Sequence, residues 1–200
     1  MIRVFVSRPT TLTVGQARFV RALERVLSEA GLELRTVGVT DFGNRAPLHK
    51  VREVMSRCEG ALVLGLTQFH VETGTRKAGT RHAERVTDIR LATTWNQLEA
   101  GIAYERHLPL FVIRETTVAP EGIFDAQVGD HFVHHADVGP RWLRSQSFLQ
   151  PFREWLSEIE TRRASRDRGA AGRDRRRGGG GDAQHAGRRD ARRRRARPAK

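Results

Sequence analysis

Apolar positions along this chain follow two alternating rhythms. Ile2, Val4 and Val6 recur at every second residue, with Phe5 on the opposite face, which predicts a strand over 2–7. Thr13 followed three residues later by Gln16 fits a capping box. Phe19, Ala22, Leu23, Val26, Leu27 and Ala30 then repeat at helical spacing up to Gly31. A second strand is expected over 32–39, then a loop over 41–44. Pro47 opens a helix with Leu48, Val51, Val54, Met55 and Cys58 on one face. The run 61–66 is apolar throughout, as a central parallel strand covered on both faces requires.

The rhythm fails over 67–91, which is polar and Thr-rich and reads as a long loop, functional or mobile. It resumes at Thr94, where a cap paired with Gln97 is expected before a helix bearing Trp95, Leu98, Ile102 and Ala103. Residues 110–113 form a fourth buried strand and 132–134 a short fifth. Phe148, Leu149, Phe152, Trp155, Leu156 and Ile159 mark a last helix, which admits Pro151 only in its first turn. Such strand–helix alternation specifies an α/β fold, a parallel sheet of four to five strands flanked by helices. Ligands in such sheets bind beyond the carboxyl ends of the strands. Those ends carry Ser7, Arg8 and Pro9, residues 38–42, residues 65–68, and Arg114 with Glu115.

Charge divides the chain in two. Residues 161–200 hold fifteen Arg, one Lys and four Asp, whereas residues 1–160 are nearly neutral, with twenty Lys and Arg against nineteen Asp and Glu. The formal charge of +13 therefore belongs to a tail, and the folded part is not a basic nucleic-acid-binding domain. The expected organisation is an α/β domain over 1–160 and a disordered Arg/Gly-rich tail over 161–200, too poor in apolar residues to fold. The tail is suited to non-specific binding of nucleic acid or other anions by counterion release. It carries no aromatic residue for base stacking. A single cysteine excludes an internal disulfide framework. No apolar run reaches membrane-spanning length and the first residues lack a leader pattern, so a cytoplasmic protein without a membrane partner is expected.

Among candidate chemistries, Trp95 and Glu99 stand four apart and share one side of the helix that follows the central strand. A carboxylate beside an indole at that crevice would stabilise positive charge on a substrate. By itself the pair more often describes a solvated glutamate on an amphipathic helix. The order strand, helix, strand, helix, apolar strand, then a helix carrying Trp-x-x-x-Glu resembles TIR (Toll/interleukin receptor) domains over about residues 1–140. The similarity is greatest to the TIR-like branch related to nucleoside 2-deoxyribosyltransferases. In the catalytic members that helix carries Trp-Cys-x-x-Glu, and Asn96 stands here where they have Cys.

The resemblance implies a flavodoxin-like or TIR-like fold. It also implies a hydrolase that cleaves NAD or a related nucleotide at its N-glycosidic bond, with NAD as substrate and no cofactor. Glu99 would be catalytic, Trp95 and Asn96 would shape the site, and Ser7, Arg8, Phe42 and Gln68 would line the ribose and phosphate pocket. Self-association as a homo-oligomer and a role in antiviral (anti-phage) defence belong to the same expectation. Two alternatives stand beside it: a deoxyribosyltransferase-like enzyme with Glu99 as nucleophile, and a signalling module that binds a nucleotide without cleaving it.

Three other patterns carry candidate chemistry. Residues 74–80 imitate a phosphate-binding loop, but the Lys after the second Gly is missing, which excludes a Walker-type site. Arg76, Lys77 and Arg81 remain as a basic flap that could meet a pyrophosphate. His131, His134 and His135 suggest a metal. On a strand, however, His131 and His135 would sit about 13 Å apart, with His134 on the other face, so no metal site is expected. His70 lies nearest the crevice among the isolated histidines.

Overall fold

β3 (Gly60–Gly65) is buried along its whole length, and the sheet is built outward from it. A computed structural model describes residues 1–44, 46–129 and 131–178. In it β3 pairs in parallel with β1 (Ile2–Ser7) on one side and β6 (Leu110–Glu115) on the other. β2 (Leu32–Arg35) and β7 (Val133–Ala136) add the outer strands, giving a five-stranded parallel sheet in the order β2-β1-β3-β6-β7. Side chains alternate between the two faces, so each apolar strand serves two cores. Val4, Val6, Leu62, Leu64, Phe111 and Ile113 meet α1 (Val14–Glu29) and the apolar face of α4 (Gln146–Gly178). On the reverse face, Phe5 and Ala61 meet α2 (Pro47–Met55) and Ala103 of α3 (Thr94–Glu105). There too, Val63 and Val112 pack with Ala100 and Phe124.

The expected capping box of α1 is present, with Thr13 and Gln16 bonded reciprocally. Four expectations are corrected. β2 ends at Arg35 rather than at residue 39. The Thr36 hydroxyl donates to the Val6 carbonyl, the Thr36 amide to Thr40, and the amides of Thr40 and Asp41 to the Thr36 carbonyl. This side-chain bonding folds 36–41 into a turn, with Gly38 at φ +81°, before the strand can extend.

The second correction concerns 67–91, which is not a loop. It contains an antiparallel hairpin of β4 (Phe69–Arg76) and β5 (Glu84–Leu91), with Phe69 opposite Leu91 and Val71 opposite Ile89. Most of its positions are exposed on both faces, so no apolar alternation announces the strands. An isolated hairpin is marginal in water. This one is tied down where the Gln68 amide donates to the Leu91 carbonyl and the Ala119 amide to the Arg90 carbonyl. Arg76 also ion-pairs with Glu121.

The third is Pro151, which lies in the second turn of α4, not the first. The Ser147 carbonyl that it leaves without a helical partner belongs to an exposed residue, where water can serve it. The fourth is the end of the last helix. By contacts the chain divides into units of 1–160 and 161–200, yet α4 runs on to Gly178. The helix thus continues past residue 160, consistent with the Arg and Ala content of 161–178. The rest of the tail, 179–200, lies outside the described residues. Among the described residues no helix is long and apolar enough to cross a membrane.

Gly65 ends β3 against the Phe124 ring, and a Cβ there would fall 2.5 Å from Phe124 Cε1. A Gly65→Val substitution is expected to overpack this contact and cost about 2 kcal/mol. Urea denaturation should show it as a lowered midpoint with an unchanged slope.

Candidate functional site

Because α1 leaves β1 on one face and α3 follows β3 on the other, the chain parts at the carboxyl ends of these neighbouring strands. Such a switch point leaves a crevice. Here it has a volume of about 420 Å³ and is lined by Arg8, Gly38, Val51, Gln68, Thr93, Trp95, Asn96 and Glu99, among others.

The first turn of α3 faces this crevice. Its N-cap is Thr93, one residue before the expected Thr94. The Thr93 hydroxyl accepts from the Asn96 amide at 3.2 Å and donates to Asn96 Oδ1 at 3.1 Å. Asn96 Nδ2 in turn donates to Ser7 Oγ at 2.8 Å, across from the last residue of β1. Both Asn96 and Ser7 are buried. Glu99 follows Asn96 by three residues on α3. Burial pushes the pKa of Glu99 up to about 7, and the neighbouring Ser7 hydroxyl opposes that rise.

The other expected residues divide. Trp95 lines the crevice and is 43% exposed, so its indole forms a wall open to water on one side. Gln68 also lines it, with Nε2 bonded to the Thr67 carbonyl at 2.9 Å. Arg8 lines it with its guanidinium turned to Glu24 at 3.0 Å and to the Pro9 carbonyl, leaving a buried Nε without a partner. Phe42 does not belong: it is 71% exposed and absent from the lining, because the 36–41 turn carries it away. Arg76, Lys77, Arg81 and His70 are likewise absent from the lining. Arg76 is held by Glu121 and His70 by Asp88.

Two contributors were not anticipated. Thr93 orients Asn96, and its only sequence signal is a hydroxyl three residues before a polar side chain at a helix start. Glu115, at the tip of β6, accepts from the Thr67 amide at 2.7 Å and from Gln16 Nε2 at 3.2 Å. It pins the chain leaving β3 to the start of α1.

The three clustered histidines separate. His131 bonds the Ile123 carbonyl, His134 stacks on Phe111, and His135 accepts from Arg114. Among the described residues no group of three His, Cys, Asp or Glu is placed to hold a metal ion. A larger cavity, about 840 Å³, opens at the amino end of β6 beside α4. Of the three histidines that line it, His134 is driven by burial to a pKa of about 4 and packs between Phe111 and Phe132. The smaller crevice is the stronger candidate, since it holds the strand tips, a helix start and the carboxyl that titrates near neutrality.

Compared with known proteins, the chain matches no family model, no curated protein and no solved structure.

The raised pKa of Glu99 makes stability depend on pH. Between the ordinary value of 4.5 and about 7, the folded chain binds more protons at Glu99 than the unfolded chain does. The contribution of this group to stability therefore falls as pH rises through that window and stays low above it. Glu99→Gln removes the dependence. Its stability relative to wild type is expected to increase from pH 4.5 to pH 7 and then level off, as read from urea midpoints at several pH values.

Proposed function

We propose that this crevice binds a nucleotide and cleaves its N-glycosidic bond, with NAD as the leading substrate. On this reading the chain is a TIR-like, flavodoxin-like domain acting as an NAD glycohydrolase. The observation that carries it is the partly buried Glu99 carboxyl group, which lines the crevice beside Trp95 at the carboxyl ends of the strands. The strand order, which becomes 2-1-3-4-5 once the β4–β5 hairpin is set aside, agrees with such a fold.

In the proposed reaction the bond between the nicotinamide nitrogen and the ribose anomeric carbon breaks. Its electron pair neutralises the departing pyridinium, so nicotinamide leaves uncharged. The ribose is left with oxocarbenium character, and water adds to it and loses a proton. Glu99 acts as a carboxylate, stabilising positive charge that grows only in the transition state. Trp95 limits water on one side of the crevice and so strengthens that attraction. Arg8 is the cationic group in the lining suited to a substrate phosphate.

The test is release of nicotinamide by the full-length chain supplied with NAD. Glu99→Gln is expected to lower the rate by about a hundredfold or more. Because the ionised form is required, the rate should rise with pH through about 7. An equally active Glu99→Gln variant would remove this mechanism. Saturable binding with the nucleotide recovered intact would instead favour a binding module.

A further inference from the structure

We infer that the cavity at the amino end of β6 is a binding site in its own right, suited to a small organic cation: a flat apolar body carrying a protonated amidine, guanidine or amine. It shares no lining residue with the Glu99 crevice and does not rest on the glycohydrolase reading.

The floor of this cavity is aromatic. Phe111 and Trp155 line it and are buried, and His134 stacks on Phe111 with ring centroids 4.3 Å apart. Phe132 and Tyr104 are exposed and stand at the rim. Flat π faces attract a cation through their ring quadrupoles, more strongly where water is excluded. The volume of about 840 Å³ falls in the range of small-molecule sites.

Fixed charge in the wall has one sign. Glu154 and Glu158 stand four apart on α4, exposed at the cavity edge beside Trp155. Like charges at that spacing on a helix repel each other. Neither forms an ion pair among the described residues, and Glu154 accepts instead from the neutral Gln150 amide at 3.3 Å. No lysine or arginine lines the cavity, although the chain holds 36 of them against 23 acidic residues. Tyr104, in the last turn of α3, and His107 just beyond it complete the wall, so the negative end of a helix dipole adds to the two carboxylates. A bound cation would answer all three.

The wall is also short of hydrogen-bond donors. Trp155 Nε1 already donates to the Pro109 carbonyl at 3.0 Å. His131 Nε2 lies 2.8 Å from the Ile123 carbonyl and so carries the ring proton, which leaves Nδ1 as a buried acceptor without a partner. His134 is 6% exposed and makes no hydrogen bond among the described residues. Burial holds it neutral, with one nitrogen an acceptor. The carboxylates only accept. A ligand that satisfies this set brings donors and positive charge, and covers the rings with its apolar body. An anion would be repelled by both glutamates, and a neutral ring would leave them uncompensated.

The experiment titrates the full-length chain with benzamidine, a flat cation, and with benzamide, its neutral counterpart of the same shape. Affinity is read by calorimetry, and location by ¹⁵N NMR of the Trp155 and Trp95 indoles, which report on the two ends of the sheet. Benzamidine is expected to shift Trp155 saturably and to bind about fivefold or more tighter than benzamide. Replacing both carboxylates, Glu154→Gln with Glu158→Gln, should weaken benzamidine about tenfold and leave benzamide unchanged. Phe132→Ala should weaken it about threefold. All three positions are exposed, so folding is not at stake. Glu99→Gln should leave the Trp155 response as it is. No saturation by about 10 mM benzamidine, equal affinity for the two compounds, unchanged affinity in the double glutamine variant, or a response at Trp95 in place of Trp155 would overturn the inference.

Discussion

Removing a carboxyl group from water makes its charge costly, and the character of this crevice follows from how Glu99 meets that cost. Burial pulls the group toward its protonated form and one serine hydroxyl pulls it back, leaving the balance near neutral pH. The hydroxyl can do this because it is not free to wander. Ser7 is the last residue of β1, its backbone is paired to Val63 of β3, and its side chain is buried. The rigidity of a parallel sheet covered on both faces is thereby passed to a single donor at its edge. α3 supplies the carboxyl group from the facing side, anchored by Ala100 and Ala103, which pack without exposure against the sheet. Small residues at these two positions let the helix approach closely enough for Asn96 to reach β1.

The two ends of the sheet are put to different uses by the same physics. At the amino end of β6 a polar ring, His134, is also buried, but it is surrounded by aromatic faces and loses its charge. Its neutral form is compatible with packing, and it contributes to a core. At the carboxyl ends, loops and a helix start bring backbone amides, hydroxyls and an amide side chain, which can answer a charge rather than suppress it. Volume alone points to the other end, since the cavity beside α4 has twice the space.

How much of this could be read from the chain depended on where water is. The strands of the parallel sheet were legible because burial on both faces demands unbroken apolar runs such as 61–66. The hairpin was not. Phe69, Val71, Val86 and Ile89 are too few and too irregularly spaced to alternate, and most positions around them are exposed, so the segment resembles a loop in composition. The continuation of α4 past residue 160 was hidden for a related reason. With no apolar face left, only the intrinsic helix preference of Arg and Ala supports it, and periodicity cannot report that. Within the crevice, Glu99 and Trp95 were legible from their four-residue spacing and Ser7 from its place at a strand end. Phe42 was misjudged because the side-chain bonds of Thr36 and Thr40 reverse the chain before it. The partnership of Asn96 with Ser7 joins positions 89 residues apart, and no local pattern carries it.

An amide buried between two hydroxyls is a choice with consequences for how the site is held. Leaving either end of Asn96 unpaired would cost about 1–3 kcal/mol, so these bonds also hold the first turn of α3 in place. Thr93 belongs to both arrangements, as the helix cap and as the partner of Asn96 Oδ1. The cap and the Asn96–Ser7 bond therefore form one unit, and fraying the first turn of α3 would free Asn96 and, with it, the side chain of Ser7 at the end of β1.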